Sequence, residues 1–464
     1  MGKTLSTENG PKSGFSQRLL RQSRKAILIR ITTALLSYGL FVVLARWMSD
    51  AEFGRLAFGI SVALSLALIG GVGQYVMIMR FLGQYAGTGR PDLAQGVLRF
   101  SGKVTLYGAL GSMLLAGFGG WIYGQIVPEA QGNYLYAAAL LVPALVISEY
   151  TSRALRGVGL VTRALGPKDV LWRPVALLAL FMLFGTGFDA VTALLVLAAV
   201  LFVLVAVQYQ MIYRPIMDFS RSGVIVAADD PVDGGSSVEQ EKPLWRKTTR
   251  TLWMVAFLGP AFQHLTIVVL GLTLSPEQTG PFFAALRTAA TLTFPLQAIN
   301  IIIGPMIARN YAKGEISTVQ YLANFSAVTA TVVASFIVVL LFFFGDQILT
   351  LFNPSYAVAT PALLIMAVGF LVSSLCGSIG QIMTMIGAER VHLRILSFTT
   401  IIALGLITLG SSLYGIIGAA YGFVFGITAW NILDTIWLRW RKKIDSSIFG
   451  VLIALKSKIA AKGR

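Results

Sequence analysis

Twelve long apolar stretches separated by short polar joints constrain this chain more than any other feature. Lipid offers a bare backbone no hydrogen-bond partner, so stretches of about 20 apolar residues must cross it as helices. The stretches fall at 26–48, 53–79, 104–127, 134–152, 170–187, 190–213, 248–274, 281–306, 320–344, 358–385, 393–413 and 415–438. With 56% hydrophobic and only 12% charged residues among 464, the chain could not cover itself with a water-soluble surface. It reads as an all-α polytopic membrane protein of about 12 transmembrane helices.

The charges sort by side. Of the 37 Lys and Arg, all but Arg46, Arg55 and Arg287 fall in the N-terminal arm, in alternate joints and in the tail. The basic joints carry Arg80 to Lys103, Arg153 to Arg173, Arg214 to Arg250, Arg309 to Lys313 and Arg390 to Arg394. The opposite joints carry Glu129, Asp189, Glu277 and Asp346. The positive-inside rule then predicts that both termini are cytoplasmic. A net charge of +17 is what orientation and anionic headgroups ask of such a chain, so no nucleic-acid partner is expected. The basic arm leads into a 23-residue apolar segment, too long for a cleavable leader, which should stay as the first helix. A single cysteine, Cys376, rules out an intrachain disulfide and a thiolate metal cluster; no metal and no cofactor are expected.

The chain repeats itself. Val42-Val43-Leu44, Ser49 and Gly54 recur without gaps as Val268-Val269-Leu270, Ser275 and Gly280, an offset of 226 residues. Six segments lie on each side of the joint 214–247, so a parallel repeat is expected, two six-helix bundles about a pseudo-twofold axis along the membrane normal. The joint mixes both signs of charge with Asp-Asp-Pro and Asp-Gly-Gly-Ser-Ser, the composition of a flexible tether. The expected divisions are a cytoplasmic basic arm at 1–25, bundles at 26–213 and 248–438 around the linker 214–247, and a basic interfacial tail at 439–464.

Two bundles that rock around a central cavity suit a transporter better than an enzyme. The acidic-side joints are too short for a catalytic domain of the kind a glycan polymerase or ligase needs, and no catalytic residues are assigned. No GxxxxGK[ST] loop, HExxH or GxSxG is present, and only His264 and His392 supply imidazoles.

The run Leu44-Ala45-Arg46-Trp47-Met48-Ser49-Asp50-Ala51-Glu52-Phe53-Gly54 resembles the first helix turn of bacterial polysaccharide-repeat flippases, where Ala-Arg precedes a short acidic segment ending in Phe-Gly. Phe283-Ala284-Ala285-Leu286-Arg287, Gly304-Pro305-Met306-Ile307-Ala308-Arg309 and Gly415-Ile416-Ile417-Gly418-Ala419-Ala420-Tyr421-Gly422 are similar to that family's eighth and twelfth helices. The similarity points to the polysaccharide-transporter branch of the multidrug/oligosaccharidyl-lipid/polysaccharide exporter superfamily, with its MATE-like fold. It implies a lipid-diphosphate-linked glycan as substrate, moved from the cytoplasmic to the outer leaflet of a bacterial inner membrane. It also implies contacts with membrane lipids and with polysaccharide polymerase and assembly partners. The alternative is a cation-coupled drug antiporter of the same superfamily, which needs intramembrane carboxylates, and a membrane glycan polymerase or ligase stands third.

A charge inside the bilayer costs at least about 2.5 to 3.5 kcal/mol, so each one is a functional candidate. Arg287 lies about six residues into its span with Thr291 at i+4, and its guanidinium is suited to fork onto a diphosphate. The bland reading is an arginine that snorkels or pairs with a carboxylate. Arg30 heads a polar stripe with Thr33 and Ser37 on the first segment. Asp434, His264 and Glu149 are the ion-coupling candidates, although Glu149 and Arg153 have the i,i+4 spacing of a structural salt bridge. For Asp434 the competing role is to accept hydrogen bonds from the basic tail.

Overall fold

The computed structural model describes residues 32–127, 132–217 and 237–450. The arm 1–25, Arg30, Glu129, linker residues 218–236 and the tail beyond 450 lie outside the described residues.

The first half comprises α1 (Thr32–Trp47), α2 (Asp50–Gly70), α3 (Gln74–Gly87), α4 (Pro91–Ile126), α5 (Asn133–Gly157), α6 (Val161–Leu165), α7 (Trp172–Phe184) and α8 (Ala190–Met217). A π-helical turn, Gly166–Leu171, joins α6 to α7. The second half comprises α9 (Val238–Thr273), α10 (Pro276–Ala289), α11 (Phe294–Ala312), α12 (Ile316–Thr350), α13 (Thr360–Leu375), α14 (Ile379–Met385) and α15 (Glu389–Lys442). Among the described residues eight helices are long and apolar enough to cross a membrane. One of them, α15, folds back on itself at Tyr414 and Gly415, where Gly415 takes a left-handed φ of 57° that a side chain would resist. Counting its limbs separately and adding α1, α7 and α9 gives the twelve crossings expected of a multi-pass membrane protein. Phe336, Phe342, Phe343 and Leu409 are exposed, as a lipid-facing surface requires.

Three expected spans are broken. Residues 53–79 divide at Gly71–Gly73 into α2 and α3, and 358–385 divides at Cys376–Ser378, where Gly377 lies against the Ser446 backbone. The span 281–306 kinks through a 3-10 turn, Ala290–Thr293, ahead of Pro295, because proline leaves no N–H for the preceding turn. The linker is shorter than composition suggests. Helix α9 starts at Val238 behind a capping box in which the Ser237 N–H donates to Gln240 Oε1 at 2.8 Å.

The repeat is visible in the geometry. Ser49 caps α2 and Ser275 caps α10 with the same backbone angles, φ −69° and ψ 159°. Both turns meet at one seam between the halves. A Cβ on Gly54 would stand 1.9 Å from the Pro276 carbonyl oxygen, so only glycine permits this approach. Around it Phe53, Phe283 and Tyr356 pack edge to face or tilted, with ring centres 6.0 Å apart. Polar bonds close the rim: Asn353 Nδ2 and Ser355 Oγ donate to the Asp50 carboxylate at 2.8 and 2.7 Å, and Arg46 Nε donates to the Leu351 carbonyl at 2.5 Å. Arg55 pairs with Glu52, whose other oxygen accepts the Ala190 N–H at 2.7 Å. The two cations that break the charge pattern on this acidic face are therefore tied into structure.

Helix α9 packs against both halves. Toward the basic face, Trp245 is fully buried in a small core with Tyr85 and Phe81 and donates to the Tyr85 hydroxyl at 2.9 Å. Toward the acidic face, Phe262 stacks on Phe423 at 5.2 Å and meets Trp430 edge-on at 5.0 Å.

Candidate functional site: a cation-lined cavity between the halves

A cavity of about 510 Å³ lies between α1 and α7 of the first half and α10 and α11 of the second. That volume is ordinary for a small-molecule site. Its walls run from Thr33 to Phe41 on α1 and from Arg287 to Ile301 on the kinked α10–α11 segment. They therefore occupy the half of the fold nearer the basic face, and the seam stops the cavity on the acidic side.

Thr33, Ser37, Arg287 and Thr291 all line this cavity. The kink before Pro295 sets the last two: Thr291 Oγ1 donates back to the Thr288 carbonyl at 2.7 Å, and Thr288 shares a 3.0 Å hydrogen bond with Tyr38 across the halves. Thr33 Oγ1 is buried without a partner among the described residues. The Arg287 guanidinium carbon lies 5.3 Å from the Phe41 ring centre and 4.9 Å from that of Phe283. Each such contact contributes about 0.5 to 2 kcal/mol, which offsets part of the cost of placing a cation there. No carboxylate pairs with Arg287 among the described residues. Its N–H donors thus remain open to a ligand.

Sequence reading missed a second cavity cation. Arg173 counts there among the cations of a basic joint, yet it lines the cavity and its charge acts on Arg287. The π-helical turn before α7 redirects the face that Arg173 presents, and its Nη1 donates to the Asp169 carbonyl at 2.6 Å. A Gly-Pro pair, Gly166-Pro167, next to a cation inside an apolar segment was the available signal. No Asp or Glu is among the described residues that line the cavity.

The ion-coupling candidates scatter. Glu149 is held by Arg153 at 2.6 Å, by Arg156 at 3.7 Å and by Lys168, so both its oxygens are committed to a structural cluster. His264 is within electrostatic range of Arg287 but does not line the cavity. Asp434 is fully buried on the second limb of α15, and His392 Nδ1 on the first limb stands 2.6 Å from its Oδ2. Asp434 Oδ1 has no partner among the described residues. The nearby basic Arg439 pairs instead with Asp445 at 3.6 Å, so it is His392 and not the start of the tail that satisfies Asp434.

The fold and the cavity define an architecture: two six-helix halves around a central site. No family model and no curated protein matches the chain in sequence. Solved structures match in fold. An inward-facing multidrug resistance MATE family transporter of the MOP superfamily superposes with a TM-score of 0.68 at 16% identity, covering 89% of this chain and 98% of that one. An outward-facing structure described in the same words gives 0.57 at 16% identity, with 90% and 96% covered. A MOP superfamily transporter from Pyrococcus furiosus, whose reversed pocket polarity is said to suggest a different function, gives 0.57 at 15%, with 91% and 94% covered. At such identities the likeness is one of fold, and the chain has the MATE transporter fold.

Proposed function

We propose that this protein is a flippase that carries a lipid-diphosphate-linked oligosaccharide from the cytoplasmic to the outer leaflet of a bacterial inner membrane by alternating access. The carrying observation is the charge of the cavity: Arg173 and Arg287, one from each half, are the charged residues among its described lining, and no Asp or Glu is among them. Two guanidiniums in a lining without carboxylates favour a multivalent anion with paired oxygens, which a diphosphate supplies. An organic cation would meet repulsion there, and that weakens the drug-antiporter reading. Thr33, Ser37 and Thr291 offer hydroxyls to the first sugar, while the lipid tail stays in the bilayer.

With both termini cytoplasmic, the cavity lies on the cytoplasmic side and the seam is the closed outer gate. A cysteine placed at 229–236, ahead of α9, after Cys376 is replaced, should react only with reagents that enter the cytoplasm; labelling from outside intact cells overturns this orientation. A substrate with about two negative charges moves outward with the inside-negative potential, gaining roughly 2.3 kcal/mol per charge per 100 mV. The Asp434–His392 pair is the proposed ion-coupling site that resets the empty cavity. In reconstituted vesicles, collapsing the potential should slow translocation of a polyprenyl-diphosphate disaccharide, and removing ATP should change nothing. Transport that persists without potential or ion gradient but stops without ATP sinks the proposal.

A further inference from the structure

A second cavity, of about 760 Å³, lies within the first half between α4 and α8. Both helices pack on α5 far more than on each other, so they diverge over it and leave a wedge. None of the wedge's lining residues lines the central cavity. Toward the basic face α4 presents Arg99 and Lys103 at i,i+4, both exposed and neither paired with a carboxylate among the described residues. Farther along, the walls turn apolar with Leu106 on α4 and Phe202 and Val205 on α8. Between the two zones lies Thr105, 2% exposed, whose hydroxyl has no hydrogen-bond partner among the described residues.

The fold does not demand these cations. The repeat offset of 226 residues places Phe325 and Thr329 at the equivalent positions of the second half, where no charge is present. Cations first and a greasy slot beyond them is the order of chemistry along an anionic lipid, from headgroup to acyl chain. A burial-competent hydroxyl at the junction fits the ester region, where an acceptor would satisfy it.

We propose that this wedge binds an anionic glycerophospholipid of the leaflet at the basic face, with its phosphate on Arg99 and Lys103 and one acyl chain along Leu106, Phe202 and Val205. The site is separate from the transport cavity and holds whichever substrate that cavity takes.

The test uses the full-length protein in a neutral detergent, titrated with dioleoyl phosphatidylglycerol or dioleoyl phosphatidylcholine and read by native mass spectrometry and thermal midpoint. Phosphatidylglycerol should bind and raise the midpoint, and phosphatidylcholine should not. The double variant Arg99→Gln/Lys103→Gln should weaken phosphatidylglycerol binding at least about tenfold, as the loss of roughly 1 kcal/mol per basic residue requires. Ala206→Phe, which fills the slot and leaves both charges, should lose binding to a similar degree. The pair Arg309→Gln/Lys313→Gln, exposed cations of the second half, should bind like the wild type. Equal loss in that control pair, equal binding of phosphatidylcholine, or the same protection from inorganic phosphate alone overturns the proposal.

Discussion

The two halves keep one register but not one chemistry: at a 226-residue offset α4 falls on α12 and α8 on the second limb of α15. The 226-residue offset sets Ser61 of the first half against Arg287 of the second, Arg173 against Thr399, and Gln208 against Asp434. Both ends of the Gln208 amide are engaged: its nitrogen donates to the Ala164 carbonyl at 2.8 Å and its oxygen accepts from Thr151 at 3.1 Å. Asp434 sits as deeply, yet one of its oxygens has no partner among the described residues and the other meets an imidazole. Likewise Thr399 bonds back to its own helix, to the Ile395 carbonyl at 2.8 Å, where Arg173 reaches the cavity. Each half thus contributes one guanidinium where the other keeps a hydroxyl, and the positions are not equivalent. The scaffold has twofold symmetry and the cavity does not, which suits a substrate whose two ends differ.

The sharpest way to break this comparison is to exchange charge at Arg287 and Ser61. Arg287→Ala should reduce glycolipid translocation by about 10- to 100-fold, the value of one or two charged hydrogen bonds, without lowering expression. Arg287→Lys should restore only part, because an ammonium lacks the fork, and Ser61→Ala should be nearly silent. Normal transport in Arg287→Ala returns that residue to a packing role over Phe41 and Phe283. Next comes the Gln208 and Asp434 pair. His392→Ala removes the one partner that a buried carboxylate has among the described residues and should cost about 3 kcal/mol in thermal unfolding, most of it recovered by adding Asp434→Asn. If the double variant is no better than the single, the two side chains are not coupled.

Smaller effects are expected at the seam. Gly54→Ala pushes a methyl into the Pro276 carbonyl, whereas Gly280→Ala meets the Tyr356 hydroxyl at 3.0 Å and the Phe53 ring at 3.3 Å. The first should cost about 1 to 3 kcal/mol of closed state and the second less. Spin labels at Arg46 and Leu351 would report longer distances in Gly54→Ala; unchanged distances would remove the seam from the gating account. Last, Asp50→Ala strips Asn353 and Ser355 of an acceptor and should weaken closure by about 1 kcal/mol, read by the same labels.

Much of this was legible beforehand. Backbone polarity in lipid forces helices, so the twelve crossings follow from apolar length, and the constant offset follows from five residues around two helix turns. Arg287, Thr291, Thr33 and Ser37 share one face by helical spacing and meet in the cavity. What could not be read is what depends on local departures from a regular helix or on distant chain. Arg173 reaches the cavity through a π-helical turn, which periodicity does not register. His392 and Asp434 meet only because α15 folds at Gly415, and nothing local to either residue announces the other. The breaks at 71–73 and 376–378 come at glycines, which are common in membrane helices and so are weak signals alone.

Helix α9 has a consequence for how the machine is divided. Its first three turns complete a core of the first half through Trp245, while its last turns are stacked into the second half through Phe262. The division between the halves therefore does not fall at residues 218–236 alone, because α9 belongs to both: beyond Phe262 its last turn also meets the first half, where Gly271 lies against Phe58 and its carbonyl accepts from the Tyr123 hydroxyl at 3.5 Å. If the proposed alternating access holds, α9 is a shared axle, and Pro260 inside it is a place where the helix can bend. Cutting the chain in the tether and coexpressing the pieces should leave the assembly intact, whereas the first piece alone would lack the tryptophan that plugs its own core.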